Sequence, residues 1–246
     1  GVDAGDYDND GDMDILVTNF SEEPNTLYQN EGGTFVDVAY GTGVGQPSLN
    51  YLGFGCGFLD FDRDGWLDIF VANGHVMDDI EMYSDVATWK QPKQLLRNRG
   101  DGTFEDITEK VGTALLKKNV SRGVAFGDYD NDGDTDILVC NLREPVQLLR
   151  NDSPARGHYL QLNLKAAWGN PQAIGATVTV KTGSLTQRRD VRTCGSYASS
   201  NDVRPLFGLG KAARVDEVRI RWASGRETVL RNVRADQLLE VSEPRR

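Results

Sequence analysis

Cysteine and histidine are scarce in this chain of 246 residues, which holds three of the former and two of the latter. Cys56, Cys140 and Cys194 are too few, and odd in number, to define a disulfide framework. We predict that each is buried and unreactive, although a bridge between Cys56 and Cys140 stays open because both lie in strand-like runs. His75 and His158 are 83 residues apart, and neither has a cysteine or a second histidine at metal spacing. A zinc site and histidine-based catalysis are therefore not expected.

Long apolar runs and the common catalytic motifs are absent as well. No run approaches the roughly 18 apolar residues of a membrane-spanning helix. The sequence has no GxSxG nucleophile elbow, no phosphate-binding loop and no HExxH helix. We therefore expect no catalytic residues, no organic cofactor, no membrane span and no nucleic-acid partner. An enzyme that uses two opposed aspartates on a polysaccharide remains the alternative, because aspartates are plentiful.

Charge is divided unevenly along the chain, whose net charge is −10. Residues 1–151 hold 11 basic and 28 acidic residues, a balance of −17, whereas residues 152–246 hold 16 and 9, a balance of +7. This change of sign predicts a domain boundary near residue 151. Several C-terminal arginines alternate with apolar residues, as in VRIRW, which indicates one solvated sheet face. Docking on an acidic surface and binding of an anionic glycan are the alternatives.

An internal repeat organises residues 1–151. Three segments share an aspartate-rich core, and each is followed by a block that ends in asparagine. The cores are GVDAGDYDNDGDMDILVTNF, GCGFLDFDRDGWLDIFVANG and GVAFGDYDNDGDTDILVCNL, and the blocks are NTLYQN, KQLLRN and VQLLRN. Their short β-branched runs predict four strands per repeat, which is typical of a β-propeller blade.

The repeats predict an all-β chain made of two parts. Residues 1–151 would form a partial β-propeller of about three blades, and residues 152–246 a small β-sandwich-like domain. In the second part, strands are expected near 158–165, 174–181, 186–193 and 215–222. Three blades cannot close a ring. We therefore expect further blades upstream, in sequence that precedes Gly1.

The second repeat is longer than the others. Asp68 and Asn98 are 30 residues apart, whereas the equivalent residues are 16 apart in the first repeat and 15 in the third. An inserted loop of residues 74–92 should project from this blade. Its mixture of acids, methionines and aromatics suits contact with a partner, and packing against its own propeller is the alternative.

Each repeat carries the pattern DxDxDGxxD in the loop after its first strand. Four carboxylates within nine residues repel one another unless a cation lies among them, and Ca²⁺ is bound by such oxygen ligands together with a backbone carbonyl at position 7. Three calcium sites are therefore predicted. Their residues are Asp6, Asp8, Asp10, Asp12 and Asp14; Asp60, Asp62, Asp64, Trp66 and Asp68; and Asp128, Asp130, Asp132, Asp134 and Asp136.

An EF-hand is the obvious rival, but it needs a bidentate glutamate at position 12 and a helix on either side. Position 12 is Val17, Val71 or Val139 here. The chain also enters a strand at position 10. These two features exclude the helix-loop-helix interpretation.

The loops resemble those of FG-GAP/VCBS repeats. The C-terminal part resembles the ASPIC/UnbV domain through AIGATVTVK, LFGLG, VDEVRIRWASG and ADQLLEV. In the family a proline usually follows the tryptophan of the WPSG turn, whereas Ala223 follows Trp222 here. The resemblance implies a secreted, extracellular or periplasmic protein without established catalytic residues. We expect an adhesion or scaffold module that recognises a protein or a glycan.

Arg99, Gly100 and Asp101 spell a tripeptide that integrins can recognise. The tripeptide falls within NRGDGTF, which the first repeat writes as NEGGTF. We predict a hairpin turn at this place rather than a receptor site.

Overall fold

The computed structural model describes residues 1–154 and 157–245, and this part of the chain is almost entirely β-structure. Its helical segments are one short α-helix, α1 (Gly45–Ser48), and one 3₁₀ turn (Ile80–Met82). No helix within it has the length and apolar character needed to cross a bilayer.

The three repeats form three antiparallel sheets in which strands adjacent in sequence are paired. Blade 1 contains β1 (Val2–Gly5), β2 (Asp14–Val17), β3 (Thr26–Glu31) and β4 (Thr34–Asp37). Blade 2 contains β5 (Gly53–Leu59), β6 (Asp68–Asn73), β7 (Lys93–Asn98) and β8 (Phe104–Asp106). Blade 3 contains β9 (Ser121–Gly127), β10 (Asp136–Asn141) and β11 (Gln147–Leu149). Blade 3 has no fourth strand in the described residues, in keeping with its missing GTF block.

Blade 2 lies between the other two blades. In β6, Ile69 and Val71 join the apolar cluster shared with blade 1, whereas Phe70 and Ala72 join the cluster shared with blade 3. Every residue of β6 is therefore buried. In β10 of blade 3, by contrast, Leu138 is 40% exposed because no described sheet covers that face.

Residues 157–245 contribute two further sheets that share one apolar core. Their strands, together with a short hairpin, are β12 (His158–Lys165), β13 (Thr177–Thr182), β14 (Leu185–Asp190), β15 (Cys194–Gly195), β16 (Ser199–Ser200), β17 (Leu206–Gly210), β18 (Arg214–Arg221), β19 (Glu227–Arg234) and β20 (Gln237–Ser242). The first sheet has the order β17-β12-β20, with β12 and β20 parallel, and the second has the order β14-β13-β18-β19. The four predicted strands are confirmed, with shifts of up to three residues at their ends.

The described chain therefore has five sheets of three or four strands in an all-β arrangement of propeller type. The prediction of about three blades is too low as a count of these sheets. Aspartate-rich loops mark only the first three, and the C-terminal sheets carry no repeat signature that a sequence count could detect.

The inner strands β1, β5 and β9 approach one another closely. A Cβ atom on Gly57 would lie 2.4 Å from Cε2 of Phe126, so only glycine fits there. The hairpin β15–β16 lies against the outer two of these inner strands, since the Val2 N–H donates to the Ser196 carbonyl at 3.1 Å and Gly123 faces Ser199. The C-terminal part thus reaches the centre of the blade assembly.

The cysteines depart from the expectation of uniform burial. All three are free among the described residues, so the Cys56–Cys140 bridge does not form. Cys56 is buried, and burial raises the pKa of its thiol to about 12. Cys140 and Cys194 are exposed, because Cys140 points out of the uncovered face of blade 3 and Cys194 begins a surface hairpin.

Candidate metal centre

The three acidic loops have the same backbone geometry. Position 4 of each adopts a left-handed conformation, with φ near 60° at Asn9, Arg63 and Asn131. Position 6 is a glycine with φ of 98°, 93° or 89°. A glycine is needed there because other residues rarely adopt this φ. The chain can therefore fold back on itself and bring its carboxylates to one side.

The aspartate at position 9 fixes each loop to its blade. Both of its oxygens accept main-chain N–H groups, one from position 2 of the same loop and one from the asparagine that ends the third-strand block. For Asp68 the donors are Phe61 at 3.0 Å and Asn98 at 2.8 Å. Asp14 and Asp136 accept the equivalent pairs from Tyr7 and Asn30 and from Tyr129 and Asn151. The sequence pattern links the asparagine block to the loop for this reason.

The aspartate at position 1 closes the bend. Its carboxylate accepts the N–H of the position-6 glycine, at 3.2 Å for Asp6, 2.9 Å for Asp60 and 3.1 Å for Asp128. The aspartate at position 5 accepts the N–H of position 7, which belongs to Asp12, Trp66 or Asp134. These bonds orient the loop before any ion arrives.

Three carboxylates in each loop have oxygens within 4.8 Å of one another. The sets are Asp6, Asp8 and Asp10 in loop 1; Asp60, Asp62 and Asp68 in loop 2; and Asp128, Asp130 and Asp136 in loop 3. Asp14, Asp64 and Asp132 lie in the same loops but outside these sets. Position 7 was assigned its backbone carbonyl, so the side chains of Asp12, Trp66 and Asp134 are not part of this grouping.

Burial acts against charge in these loops. It raises the pKa of Asp6 to about 6 and those of Asp14 and Asp60 to about 7, and neighbouring aspartates add to the effect. The pKa of Asp68 is raised well above its usual range by the same two causes. A bound cation would remove this penalty, because it favours the ionised form.

The residues present fit a hard cation. Oδ1 of Asp6 and Oδ1 of Asp62 are buried and have no hydrogen-bond partner. An unpartnered buried carboxylate oxygen is costly unless an ion coordinates it. Oxygen-only donor sets of this kind suit Ca²⁺ and are poor ligands for softer metals.

The residue before the closing asparagine differs among the blades, and the sequence pattern did not identify its role. Gln29 Nε2 donates to Asp8 Oδ2 at 2.8 Å in blade 1. Arg97 Nη2 lies 2.9 Å from Asp62 Oδ2 in blade 2. Arg150 instead pairs with Asp152 at 2.6 Å, away from loop 3. The three loops therefore have different electrostatic surroundings.

The basic C-terminal part docks on the acidic loops. Arg188 Nη1 donates to the Gly11 carbonyl at 2.7 Å, and Arg204 Nη2 donates to the Asp128 carbonyl at 2.8 Å. Burial lowers the pKa of Arg189, while the nearby Asp60 and Asp6 carboxylates oppose that shift. One of the alternatives for the C-terminal arginines, docking on an acidic surface, thus has direct contacts behind it.

Other arginines of this part lie on the outer sheet face. Arg219 contacts Glu217 at 2.7 Å and Glu227 at 3.1 Å, and Arg231 contacts Glu217 at 3.1 Å. This face is a mixed ladder of both charges rather than a basic patch, as the solvated-face interpretation predicts.

The tripeptide at Arg99 lies in a hairpin turn, as expected. Arg99 pairs with Glu105 at 3.2 Å, and Asp101 Oδ1 accepts the Thr103 N–H at 3.0 Å. Gly100 and Gly102 have positive φ values of 73° and 82°. The turn uses these residues structurally.

Comparison with known families agrees with this geometry. The family model described as FG-GAP-like repeat matches residues 5–71 and 83–139, and that described as ASPIC and UnbV matches residues 167–246. The chain belongs to the FG-GAP-like repeat family. Its C-terminal part carries the ASPIC/UnbV domain.

Curated relatives include cartilage acidic protein 1 from three vertebrates. The Homo sapiens protein is 25% identical over 299 residues, covering 100% of this chain and 44% of the relative. The Mus musculus protein is 24% identical, covering 99% and 44%, and the Xenopus tropicalis protein is 32% identical, covering 58% and 19%. The chain therefore spans less than half the length of these relatives.

Proposed function

We propose that this chain is an extracellular calcium-binding scaffold or adhesion module, and that it binds rather than catalyses. The observation that carries the calcium role is the threefold loop, in which each first and ninth aspartate is held by main-chain N–H groups. Asp6 and Asp62 keep buried oxygens free within that frame. The three ions would lie at the loops through the fifteen residues predicted from the sequence.

Calcium would act structurally. Bound among the loop carboxylates, it would offset their mutual repulsion and hold each loop against its blade. Loops of this type commonly bind Ca²⁺ at the concentrations found outside cells, which supports a secreted or periplasmic location. The relatives' name, cartilage acidic protein, agrees with an acidic extracellular protein.

A binding role is supported by the way in which the carboxylates are used. Those at positions 1 and 9 accept hydrogen bonds from the backbone of their own loops, which is a structural use. The polysaccharide-acting enzyme remains the function to exclude by experiment.

One comparison separates the two functions. The protein is applied to an array of extracellular glycans and matrix proteins in calcium and in EDTA, and the same polymers are assayed for hydrolysis and lyase products. Calcium-dependent binding without turnover supports the module. Accumulation of shortened products, abolished by loop substitutions, would replace it with the enzyme.

A further inference from the structure

The inserted loop, residues 74–92, is held in one conformation at its base. The His75 N–H donates to the Trp89 carbonyl at 2.9 Å, so the two ends of the loop are joined. Arg122 donates to the carbonyls of Gly74 at 2.9 Å and His75 at 3.0 Å. The Arg122 guanidinium also lies 3.9 Å from the centre of the Phe54 ring. Three strands of the propeller thus support this base.

The tip of the loop is ordered by its own contacts. The Trp89 N–H donates to Glu81 Oε1 at 3.0 Å, and Ser84 Oγ accepts the Ala87 N–H at 2.9 Å. Ala87 is 4% exposed and His75 is fully buried. Side chains that are exposed on this loop are therefore presented by a fixed backbone.

Those exposed side chains are mostly apolar. Met82 is 79% exposed, Tyr83 71%, Val86 56%, Val76 52% and Met77 41%. Five large apolar side chains on one short loop differ from the scattered apolar residues of an ordinary surface. Tyrosine and methionine are also enriched where proteins meet one another.

Acidic residues surround the apolar tip. Asp78, Asp79, Glu81 and Asp85 are exposed and form no ion pair with the described residues, 1–154 and 157–245. Lys90, the basic residue of the loop, is engaged with Glu144 at the base. The tip therefore carries four uncompensated negative charges, which favour a basic partner and repel an anionic one.

The loop is also a departure from the family pattern. The family model leaves residues 72–82 unmatched, and the other two repeats connect the same strands with about half as many residues. Nothing in the blade geometry requires the extra residues, because blade 1 forms the same four strands without them.

We propose that the inserted loop is a docking site for a separate polypeptide whose apolar side chains are flanked by lysine or arginine. Tyr83 and Met82 enter the apolar part of that partner, while Asp78, Asp79 and Asp85 face its basic residues. The fixed base reduces the entropy cost of binding. This inference rests on the binding role proposed above, but it does not depend on calcium in the acidic loops.

The test uses the whole chain and a phage-displayed library of random peptides as the probe. Selection should enrich peptides that combine lysine or arginine with leucine, phenylalanine or tryptophan. Their affinity should fall at least about tenfold in Met82→Ser/Tyr83→Ser and in Asp78→Asn/Asp79→Asn/Asp85→Asn. It should also weaken as salt is raised. Tyr40→Ser and Trp168→Ser are matched controls, because these side chains are 61% and 65% exposed elsewhere and should not affect binding.

Three results would overturn the proposal. The selected peptides could bind the loop variants and the wild type equally, or could lack basic residues. Light scattering could show a dimer that Met82→Ser/Tyr83→Ser dissociates, which would make a second copy the occupant. A neutral glycan could bind instead and be lost in the same variant. Calcium-dependent melting, measured on every variant, shows separately whether the calcium role holds.

Discussion

Arg97 Nη2 lies 2.9 Å from Asp62 Oδ2 and 3.4 Å from Asp64 Oδ2, so a side chain of blade 2 already supplies positive charge to the second acidic loop. A calcium ion in that loop would share these carboxylates with Arg97. The first loop has the uncharged Gln29 at the same place.

Replacing Arg97 with glutamine should raise the calcium affinity of loop 2 several-fold, because the ion no longer competes with a neighbouring cation. The effect is moderate since the Arg97 side chain is 38% exposed. Calorimetric titration with calcium measures it. Arg150→Gln is the control, as Arg150 turns away to Asp152. Equal titrations of Arg97→Gln and the wild type would disprove the competition.

Removing calcium should lower the thermal stability of the whole chain. A site with a Kd near 10⁻⁴ M contributes about 1 kcal/mol in millimolar calcium, and three such sites should raise Tm by several degrees. Differential scanning calorimetry in CaCl₂ and in EDTA gives the shift, with MgCl₂ as the control. The variant Asp60→Asn/Asp62→Asn should lose part of the response. A melting curve that ignores EDTA would remove the structural role.

The calcium-free protein should become less stable as pH rises from about 4 to about 7. In the folded state Asp6, with a pKa of about 6, and Asp14 and Asp60, with pKa values of about 7, still hold protons that the unfolded chain releases near pH 4. The folded state thus binds more protons in this range, so its free energy of unfolding falls with rising pH.

Calcium should cancel that fall, because it binds the ionised carboxylates and gains affinity as they deprotonate. Urea midpoints measured across this range, with and without calcium, should therefore diverge toward pH 7. Parallel curves would show that the loop carboxylates are not responsible.

Removing Arg192 should destabilise the contact between the two parts of the chain. Arg192 Nη1 lies 2.7 Å from Oδ1 of Asp3, which is 3% exposed and would be left as a buried charge. Arg192→Met should cost about 2–4 kcal/mol, and adding Asp3→Asn should recover part of that loss. Arg221→Met, on the exposed sheet face, should change stability by less than about 0.5 kcal/mol. A double variant no more stable than Arg192→Met would contradict the pairing.

The loops and blades could be predicted because one local pattern repeats three times. The asparagine after each third strand and the aspartate at position 9 are joined by hydrogen bonds, so the sequence spacing reports a real contact. The place of Asp68 and Asn98 follows from that spacing alone.

What the sequence could not show were contacts between distant segments. Arg188 is 177 residues from Gly11, and Arg192 is 188 residues from Ala4, whose carbonyl it contacts. No periodicity predicts such pairs. Exposure of Cys140 was missed for a related reason, since it depends on which face of blade 3 is covered.

Strand β6 is buried on both faces, and this bears on how the molecule can change over time. Blade 2 is held by neighbours on either side, whereas blades 1 and 3 each keep a described face open. A connection that lengthens on the enclosed blade leaves its supporting contacts intact, and the entropy cost of a longer loop grows only slowly with its length. The middle blade is therefore the place where new surface can be tried at the smallest risk to folding, and it is the blade from which residues 74–92 project.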